Sequence, residues 1–447
     1  MRRPLTVLLM SGPLLAWSAG CGVAESTVSG GKRADGGTAD GGPGPQGCVA
    51  STETCDGMDN DCDGVVDNGY DLDKDGYSTC RDDCNDVDPA IHPDAVEVQD
   101  GRDNDCDGKA DNHISGFDSD GDGYQYGTPT NGRAPDCNDD EPYVGPGAVE
   151  VAGDNTDNNC NGQVDEPVGG CDATVAPGTT LPGDYARAAE ICGGVSSSSF
   201  MSGASADGRA IMASFGTSWT PKAGSRFFML SSGKALAGTS GYSPQDGTSF
   251  GISVADPATG RQVNDLNALT LTLKVPQNAK SFSFDFAFFS AEFPEWVGSS
   301  FNDRFVAVLT SQALPAQFGA SACAIPGETG CRRGNVSFDG NGKEVSVNNS
   351  YFTVCQPDLQ EAPGAPCNPA LVPLLAGTGY DQDDQGRPMG GGSGWLTTKA
   401  PVKPGETIQL QFAVFDEADW ILDSAVIVDN FRWEAASVQG PTTTPIN

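Results

Sequence analysis

The chain has 447 residues and a formal net charge of −36, from 61 acidic and 25 basic residues. More than one domain is expected at that length, and so acidic a surface argues against nucleic acid as a partner. The charge is also uneven: residues 48–166 hold 32 Asp and Glu against 5 Lys and Arg. That stretch opposes its own compaction unless cations neutralise it.

The first twenty residues read as an export signal. Arg2 and Arg3 form a charged start, Leu5 to Trp17 an apolar core, and Ser18-Ala19-Gly20-Cys21 a cleavage box. Small residues followed directly by cysteine resemble a bacterial lipobox, which implies acylation of Cys21 and attachment to the cell envelope at the outer membrane or surface. Lipoboxes usually carry Leu where this chain has Ser18, so cleavage and secretion remains the alternative. The apolar run is too short to span a bilayer, and no other segment approaches the length required. With Cys21 lipidated, 14 of the 15 cysteines remain, an even number suited to a disulfide framework in an exported protein.

Residues 21–47 form a Gly-rich linker, whose 26 residues after Cys21 would reach roughly 28 Å as a flexible coil. Residues 48–170 are the acidic, Cys-rich region. Within it a hexapeptide recurs five times, as Asp59-Asn60-Asp61-Cys62-Asp63-Gly64, Asp71-Leu72-Asp73-Lys74-Asp75-Gly76, Asp103-Asn104-Asp105-Cys106-Asp107-Gly108, Asp118-Ser119-Asp120-Gly121-Asp122-Gly123 and Asp157-Asn158-Asn159-Cys160-Asn161-Gly162. Oxygen side chains at positions 1, 3 and 5 with Gly at 6 are the first half of an EF-hand-type loop, in which a sharp turn aims three oxygens at one hard cation. A solvated disordered tract is the plainer reading of such composition, but it requires neither this spacing nor interleaved cysteines.

Further candidate ligands are Asp67, Asp111 and Asp165 at position 9 of the first, third and fifth loops, and Asp82 at position 12 of the second. The fourth loop has Pro129 at position 12 and needs completion from elsewhere, with Asp136 or Asp139 as candidates. Without the bidentate Glu of an EF-hand such sites are expected to be weak, about 10⁻⁴–10⁻³ M. A longer unit, Asp83-Cys84-Asn85-Asp86 to Gly108 and again Asp136-Cys137-Asn138-Asp139 to Gly162, separates its two cysteines by nearly equal spacings. That equality predicts Cys84–Cys106 and Cys137–Cys160 bridges and leaves Cys48, Cys55, Cys62 and Cys80 to pair in any of three ways. Apolar residues are too few for a hydrophobic core, so metal and disulfides must hold this region together.

These units resemble a bacterial family of metal-binding motif repeats named for a copper-binding surface protein, and the Asp-rich loops are similar to thrombospondin type 3 and dockerin Ca²⁺ loops. Copper prefers imidazole and soft sulfur. The chain has only His92 and His113, and its cysteines are expected in disulfides, leaving carboxylate and carbonyl oxygens that suit Ca²⁺, with Mg²⁺ or Mn²⁺ behind it.

From Cys171 the charge thins and aromatic residues appear. Phe282, Phe284, Phe286 and Phe288 alternate along one strand, and Ile408, Leu410, Phe412 and Val414 along another. With further candidate strands at 208–215, 226–231, 267–275, 304–310 and 424–433, residues 171–436 read as one antiparallel all-β sandwich, followed by a frayed tail at 437–447. The fold class is therefore multidomain: a loop-rich repeat region stapled by disulfides and metal, then an all-β antiparallel sandwich. Cys171–Cys192, Cys323–Cys331 and Cys355–Cys367 are plausible local staples. Asp184-Tyr185-Ala186, Phe284-Asp285-Phe286, the Ser290–Trp296 run, Phe301–Phe305, Phe415–Asp419, Leu422–Val426 and Val428–Phe431 together resemble the bacterial choice-of-anchor L domain. The resemblance implies an exported surface protein of unassigned biochemical role, for which a lipidated Cys21 would be the anchor.

Chemistry was sought and the reading is non-enzymatic. Gly247-Thr248-Ser249-Phe250-Gly251 matches a nucleophile elbow, but both histidines precede Ser249, whereas such a hydrolase needs one after it. Glu292, Glu295, Asp303, Asp416, Asp419 and Asp423 cluster in two short segments, as a second metal or ligand site, a glycosidase-like acid pair, or loop-fixing hydrogen bonds. The sequence thus predicts a lipid-anchored cell-surface protein in which a calcium-binding spacer presents a sandwich to an extracellular protein or glycan. Alternatives are a carbohydrate-active or glycan-binding protein and a divalent-metal scavenger.

Overall fold

The computed structural model describes residues 49–63, 67, 70–166, 170–176, 178–235, 244, 247, 249–250, 252–255, 262–294, 296–299, 301–315, 334–339, 341–348, 351–356, 367–382, 389–417 and 420–446. Cys21, Cys48, Glu295, Cys323, Cys331 and Asp419 lie outside these residues. The acidic region has little regular structure: β1 (Gln125–Tyr126) pairs in parallel with β2 (Pro135–Asp136), and most of its other described residues are in turns. Disulfides join Cys55 to Cys80, Cys84 to Cys106 and Cys137 to Cys160. Cys62 is also oxidised.

The aromatic half is a two-sheet sandwich. Its strands are β4 (Val195–Phe200), β5 (Arg209–Met212), β6 (Phe227–Ser231), β7 (Ser253–Ala255), β8 (Gln262–Lys274), β9 (Ser281–Ser290), β10 (Arg304–Thr310), β11 (Val345–Ser346), β12 (Gly391–Gly392), β13 (Leu396–Pro401), β14 (Thr407–Glu417), β15 (Ser424–Glu434) and β16 (Thr442–Pro445). One sheet runs β11-β10-β14-β8-β4 with β7 beside β8, and the other β16-β13-β9-β15-β6-β5 with β12 beside β9. Pairing within the sandwich is antiparallel.

The alternating phenylalanines of β9 face the opposite sheet. Phe284 meets Phe412 edge-on at 5.1 Å between centroids, and Phe286 meets Phe305 at 4.7 Å. Alternation alone suggests that the other face of β9 is solvated, but Ser283, Asp285, Ala287 and Phe289 are buried too. A second apolar cluster explains this, because Phe215, Trp219 and Tyr380 cover Phe289 from outside. Disulfides Cys171–Cys192 and Cys355–Cys367 fasten loops onto the body.

Two features depart from the sequence reading. The terminal residues do not fray: β16 pairs with β13, and the Ile446 amide donates to the Trp395 carbonyl at 2.9 Å. Threonine-rich Thr442–Thr444 has good β propensity but no apolar alternation, so no period marks it as a strand. The acidic region also does not stop short of the sandwich. β3 (Val151–Ala152) pairs in parallel with β15 at Trp433 and Glu434, and Val151 is fully buried in the main core. The last repeat is thus part of the sandwich's packing.

The segment joining the two halves is held by buried acids. Gly170 donates its amide to Glu190 Oε2 at 3.1 Å, and the Lys222 and Ala223 amides donate to Asp429 Oδ2. Burial beside Asp172 and Asp429 pushes Glu190 up to about 7, and burial pushes Asp429 up to about 7 against the amides that lower it. A carboxyl whose folded value is raised keeps its proton after the unfolded chain has lost it. Its contribution is therefore intact at low pH and lost as pH rises from the ordinary carboxylate range to about 7. For Glu190 the loss is on the order of 3 kcal/mol. The stability of Glu190→Gln relative to the parent should rise between about pH 5 and about pH 8 in urea unfolding. A difference independent of pH would refute this assignment. Phe284→Ala, which empties the centre of the core, should cost about 3–5 kcal/mol in the same assay.

Candidate metal centres

Each acidic loop is built by its own side chains bonding to its own backbone. The carboxylate at position 1 accepts the amides that close the turn: Asp103 takes Asp107 N at 3.1 Å and Gly108 N at 2.9 Å, and Asp157 takes Asn161 N and Gly162 N at 3.1 and 2.7 Å. Asp71 and Asp118 do the same for Gly76 and Gly123. Position 3 accepts the amide of position 5, as Asp61 does from Asp63, Asp73 from Asp75 and Asp120 from Asp122. Position 5 accepts that of position 7, as in Asp75 with Tyr77 and Asp122 with Tyr124. Aspartate forms such turns readily. Position 6 needs a positive φ, 102° at Gly76 and 96° at Gly108, and only glycine meets that without strain.

This arrangement commits one oxygen of the side chains at positions 3 and 5 and leaves the other facing inward. Asp73 Oδ2, Asp75 Oδ2 and Asp120 Oδ2 are buried with no hydrogen-bond partner. Asp71, Asp73 and Asp75 each bring an oxygen within 4.8 Å of the others, as do Glu53, Asp59 and Asp61. Crowding has the expected electrical consequence. Burial, then Asp122, Asp136 and Asp139, pushes Asp120 up to about 6. Asp105 is raised likewise by burial and by Asp107, Glu97 and Asp103.

The loops are completed in two ways. Those at Asp71 and Asp118 are closed by the following Asp-Cys-Asn-Asp segment: Asp86 accepts Leu72 N at 3.2 Å and Asp139 accepts Ser119 N at 3.0 Å. Asp83, Asp136 and Asp139 each keep a buried, unpartnered oxygen there. Asp136 and Asp139 thus complete the fourth loop together. In the second loop the residue that faces the site is Asp83, whereas Asp82 is exposed. The 3-10 turn at Thr79–Arg81 displaces the chain, and Asp82 caps it in a left-handed conformation at φ 62°.

The loops at Asp59, Asp103 and Asp157 are closed instead by a preceding glutamate, which counting forward from position 1 misses. Glu53 accepts Asp61 N at 2.7 Å, Glu97 accepts Asp105 N at 3.0 Å and Asp111 N at 2.8 Å, and Glu150 accepts Asn159 N at 2.8 Å. Glu53 and Glu150 keep a buried oxygen with no partner, and burial pushes Glu150 up to about 7. The signal was present in the sequence, as the Glu of two Ala-Val-Glu-Val runs. In the fifth loop Glu166 also accepts from the Asn159 and Asn161 amides.

Asp67, Asp111 and Asp165 stand differently from the position-9 ligands expected. Each has positive φ and turns a carboxylate oxygen to the backbone of the preceding turn: Asp67 to Asp56 and Gly57, Asp111 to Asp100 and Gly101, Asp165 to Gly153 and Asp154. They latch the unit shut.

In the sandwich the structure brings Glu292, Asp303, Asp416 and Asp423 together, all buried. Trp420 beside them is exposed, and Trp296 packs edge-on against Phe301. Ser249 leads into strand β7, without the helix that follows a nucleophile elbow.

Comparison with known families matches residues 188–431, more than half of the chain, to the choice-of-anchor L domain. The chain belongs to that family. Residues 50–68, 83–112 and 136–166 match a family described as "Putative metal-binding motif" and named for copper. The loops at Asp71 and Asp118 fall between these matches. No curated protein and no solved structure matches the chain.

The residues fit a metal, on the ground that buried carboxylate oxygens without partners converge in the loops. They fit copper poorly. Every described cysteine is in a disulfide, His92 stacks on Tyr77 at 4.7 Å, and His113 lies with two acids, Asp105 and Asp107. Gly108→Ala forces an L-residue to φ 96° and should cost about 1 kcal/mol, weakening cation binding at that loop roughly 5-fold by calorimetry. Unchanged binding would show that the loop's turn does not set the site.

Proposed function

We propose that this is an exported cell-surface protein whose acidic repeats bind several Ca²⁺ ions and so stiffen a spacer that carries the sandwich away from the envelope. Both families fit a surface role, and neither is catalytic. Acylated Cys21 is the anchor in this reading, and the Gly-rich linker is the tether. The sandwich is the part that engages an extracellular protein or glycan. Among the described residues no helix is long and apolar enough to cross a membrane.

One observation carries the calcium reading: the set of unpartnered carboxylate oxygens at Glu53, Asp73, Asp75, Asp83, Asp120, Asp136, Asp139 and Glu150. Hard oxygen donors in number, on loops that flex, suit Ca²⁺ better than Mg²⁺, which keeps its own water and demands octahedral geometry. At about 2 mM Ca²⁺ and a dissociation constant of about 0.1 mM, each site would stabilise the fold by about 1.8 kcal/mol.

The test is a Ca²⁺ titration of the intact oxidised chain after chelation, following heat and hydrodynamic radius together. Several sites at millimolar affinity or tighter, with a contracting chain, are expected. No heat and no contraction would sink the spacer reading. Mn²⁺ or Cu²⁺ binding far more tightly than Ca²⁺ would favour scavenging instead.

A further inference from the structure

A second group of acids lies away from the repeats, where the two sheets meet. Glu292 follows β9 and Asp423 precedes β15, both strands of the larger sheet. Asp303 precedes β10 and Asp416 lies in β14, both strands of the smaller sheet. Glu292 is 1 % exposed and the other three 0 %. Hydrogen bonds knit part of the group. Glu292 Oε2 accepts Asp303 N at 3.2 Å, while Asp303 accepts Glu417 N at 3.2 Å and the Ser424 hydroxyl at 2.6 Å.

Asp416 stands apart, because among the described residues neither of its carboxylate oxygens has a hydrogen-bond partner of good geometry. The charges that face it are Asp303, Asp423 and Glu292. Ser232 is close, but its hydroxyl accepts from Ser424 N at 2.8 Å and donates to Ser424 O at 3.3 Å, so its proton is committed. Tyr380, 2 % exposed, lies beside Ser231 and faces Asp423, Asp416 and Asp303. The nearby guanidinium of Arg304 is turned to Glu344 at 2.7 Å and to Glu417 at 3.5 Å. A buried carboxylate with nothing to receive its lone pairs is costly enough that a proton or a cation must take the place.

We propose that Glu292, Asp303, Asp416 and Asp423 enclose a site for one calcium-class divalent cation, which clamps the two sheets together at this end of the sandwich. The donors are all hard oxygens from four separate segments, with no imidazole or thiolate, a set that suits Ca²⁺. The cation fixes the strand-connecting segments between Glu292 and Asp303 and between Asp416 and Asp423. Those segments expose Val297, Trp420 and Ile421, so the same ion sets the shape of an apolar rim. This site is separate from the repeat loops and stands whether or not they take Ca²⁺.

The intact chain allows both regions to be followed at once. No tryptophan lies between residues 48 and 166, so tryptophan fluorescence reports the sandwich and ion counting reports the total. Asp416→Asn keeps the shape of the side chain while removing a charge that opposes three others, so the variant should fold. At a Ca²⁺ concentration that just saturates the parent, it should hold one ion fewer per chain by equilibrium dialysis. Chelation should lower the parent's tryptophan-detected melting temperature by clearly more than that of Asp416→Asn, in which only the repeat ions remain to be lost. The stripped parent should melt below the variant, since it buries one more negative charge. An identical ion count in both chains would overturn the site. So would a sandwich transition in the parent that ignores chelation but rises with acid, because a proton would then occupy the place assigned to the cation. Failure of the repeats to bind would appear separately, as a parent holding a single ion.

Discussion

The constraint on which this structure depends is the crowding of carboxylates with few basic partners among the described residues. Carboxylate oxygens within 4.8 Å of one another, as among Asp71, Asp73 and Asp75, repel each other when all are ionised. A disulfide contributes about 2–4 kcal/mol. The bridges can fix which segments meet, such as the Cys84 segment against the third loop at Cys106, but they cannot also neutralise what they bring together. Hydrogen bonding does part of that work by spending one oxygen of each side chain on a backbone amide. The oxygen left over defines where positive charge belongs.

That constraint reaches the sandwich through the last repeat. Val151 donates its amide to Asn158 Oδ1 at 2.9 Å, inside the fifth loop, and its side chain lies in the main core. Glu150, the adjacent residue, accepts from Asn159 of the same loop. A dipeptide thus belongs at once to a candidate metal centre and to a sheet, through the pairing of β3 with β15. The geometry of the fifth loop and the seating of β3 are set by the same few bonds. The repeats are for this reason better regarded as a column growing out of the sandwich than as beads on a separate thread.

How much of this was legible in the sequence depended on whether a signal was local and periodic. The loop hexapeptides are contiguous, and the Asx turns that build them are made within seven residues, so their positions were readable. The cysteine spacing gave Cys84–Cys106 and Cys137–Cys160 for the same reason. Alternating phenylalanines marked β9 and one of its two buried faces. Completion of the fourth loop by Asp136 and Asp139 was readable as a candidate, but closure by Glu53, Glu97 and Glu150 was not readable by counting forward, because these residues lie upstream. Asp82 and Asp83 differ by one position, and a single 3-10 turn decides between them. Strands β4, with Ser196–Ser199, and β16, with Thr442–Thr444, are edge elements that carry few apolar residues. Their place is dictated by the neighbours that need partners, which no local pattern encodes.

The two kinds of acidic site also differ in how completely the fold has prepared them. In the repeats a side chain such as Asp73 has one oxygen satisfied by Asp75 N and one left over, and the loops lie at the surface, where water can substitute for an absent ion. In the sandwich Asp416 has neither oxygen satisfied and no exposure at all. A site that water can relax tolerates emptiness and is expected to release its ion readily. A site closed to water loses far more when emptied, because the charge stays buried, so the same free energy appears as tighter binding. Under the readings proposed above, falling Ca²⁺ would empty the column before the clamp. The spacer would loosen while the domain it carries stayed folded, so the reach of the sandwich from the envelope, rather than its integrity, would follow the calcium outside the cell.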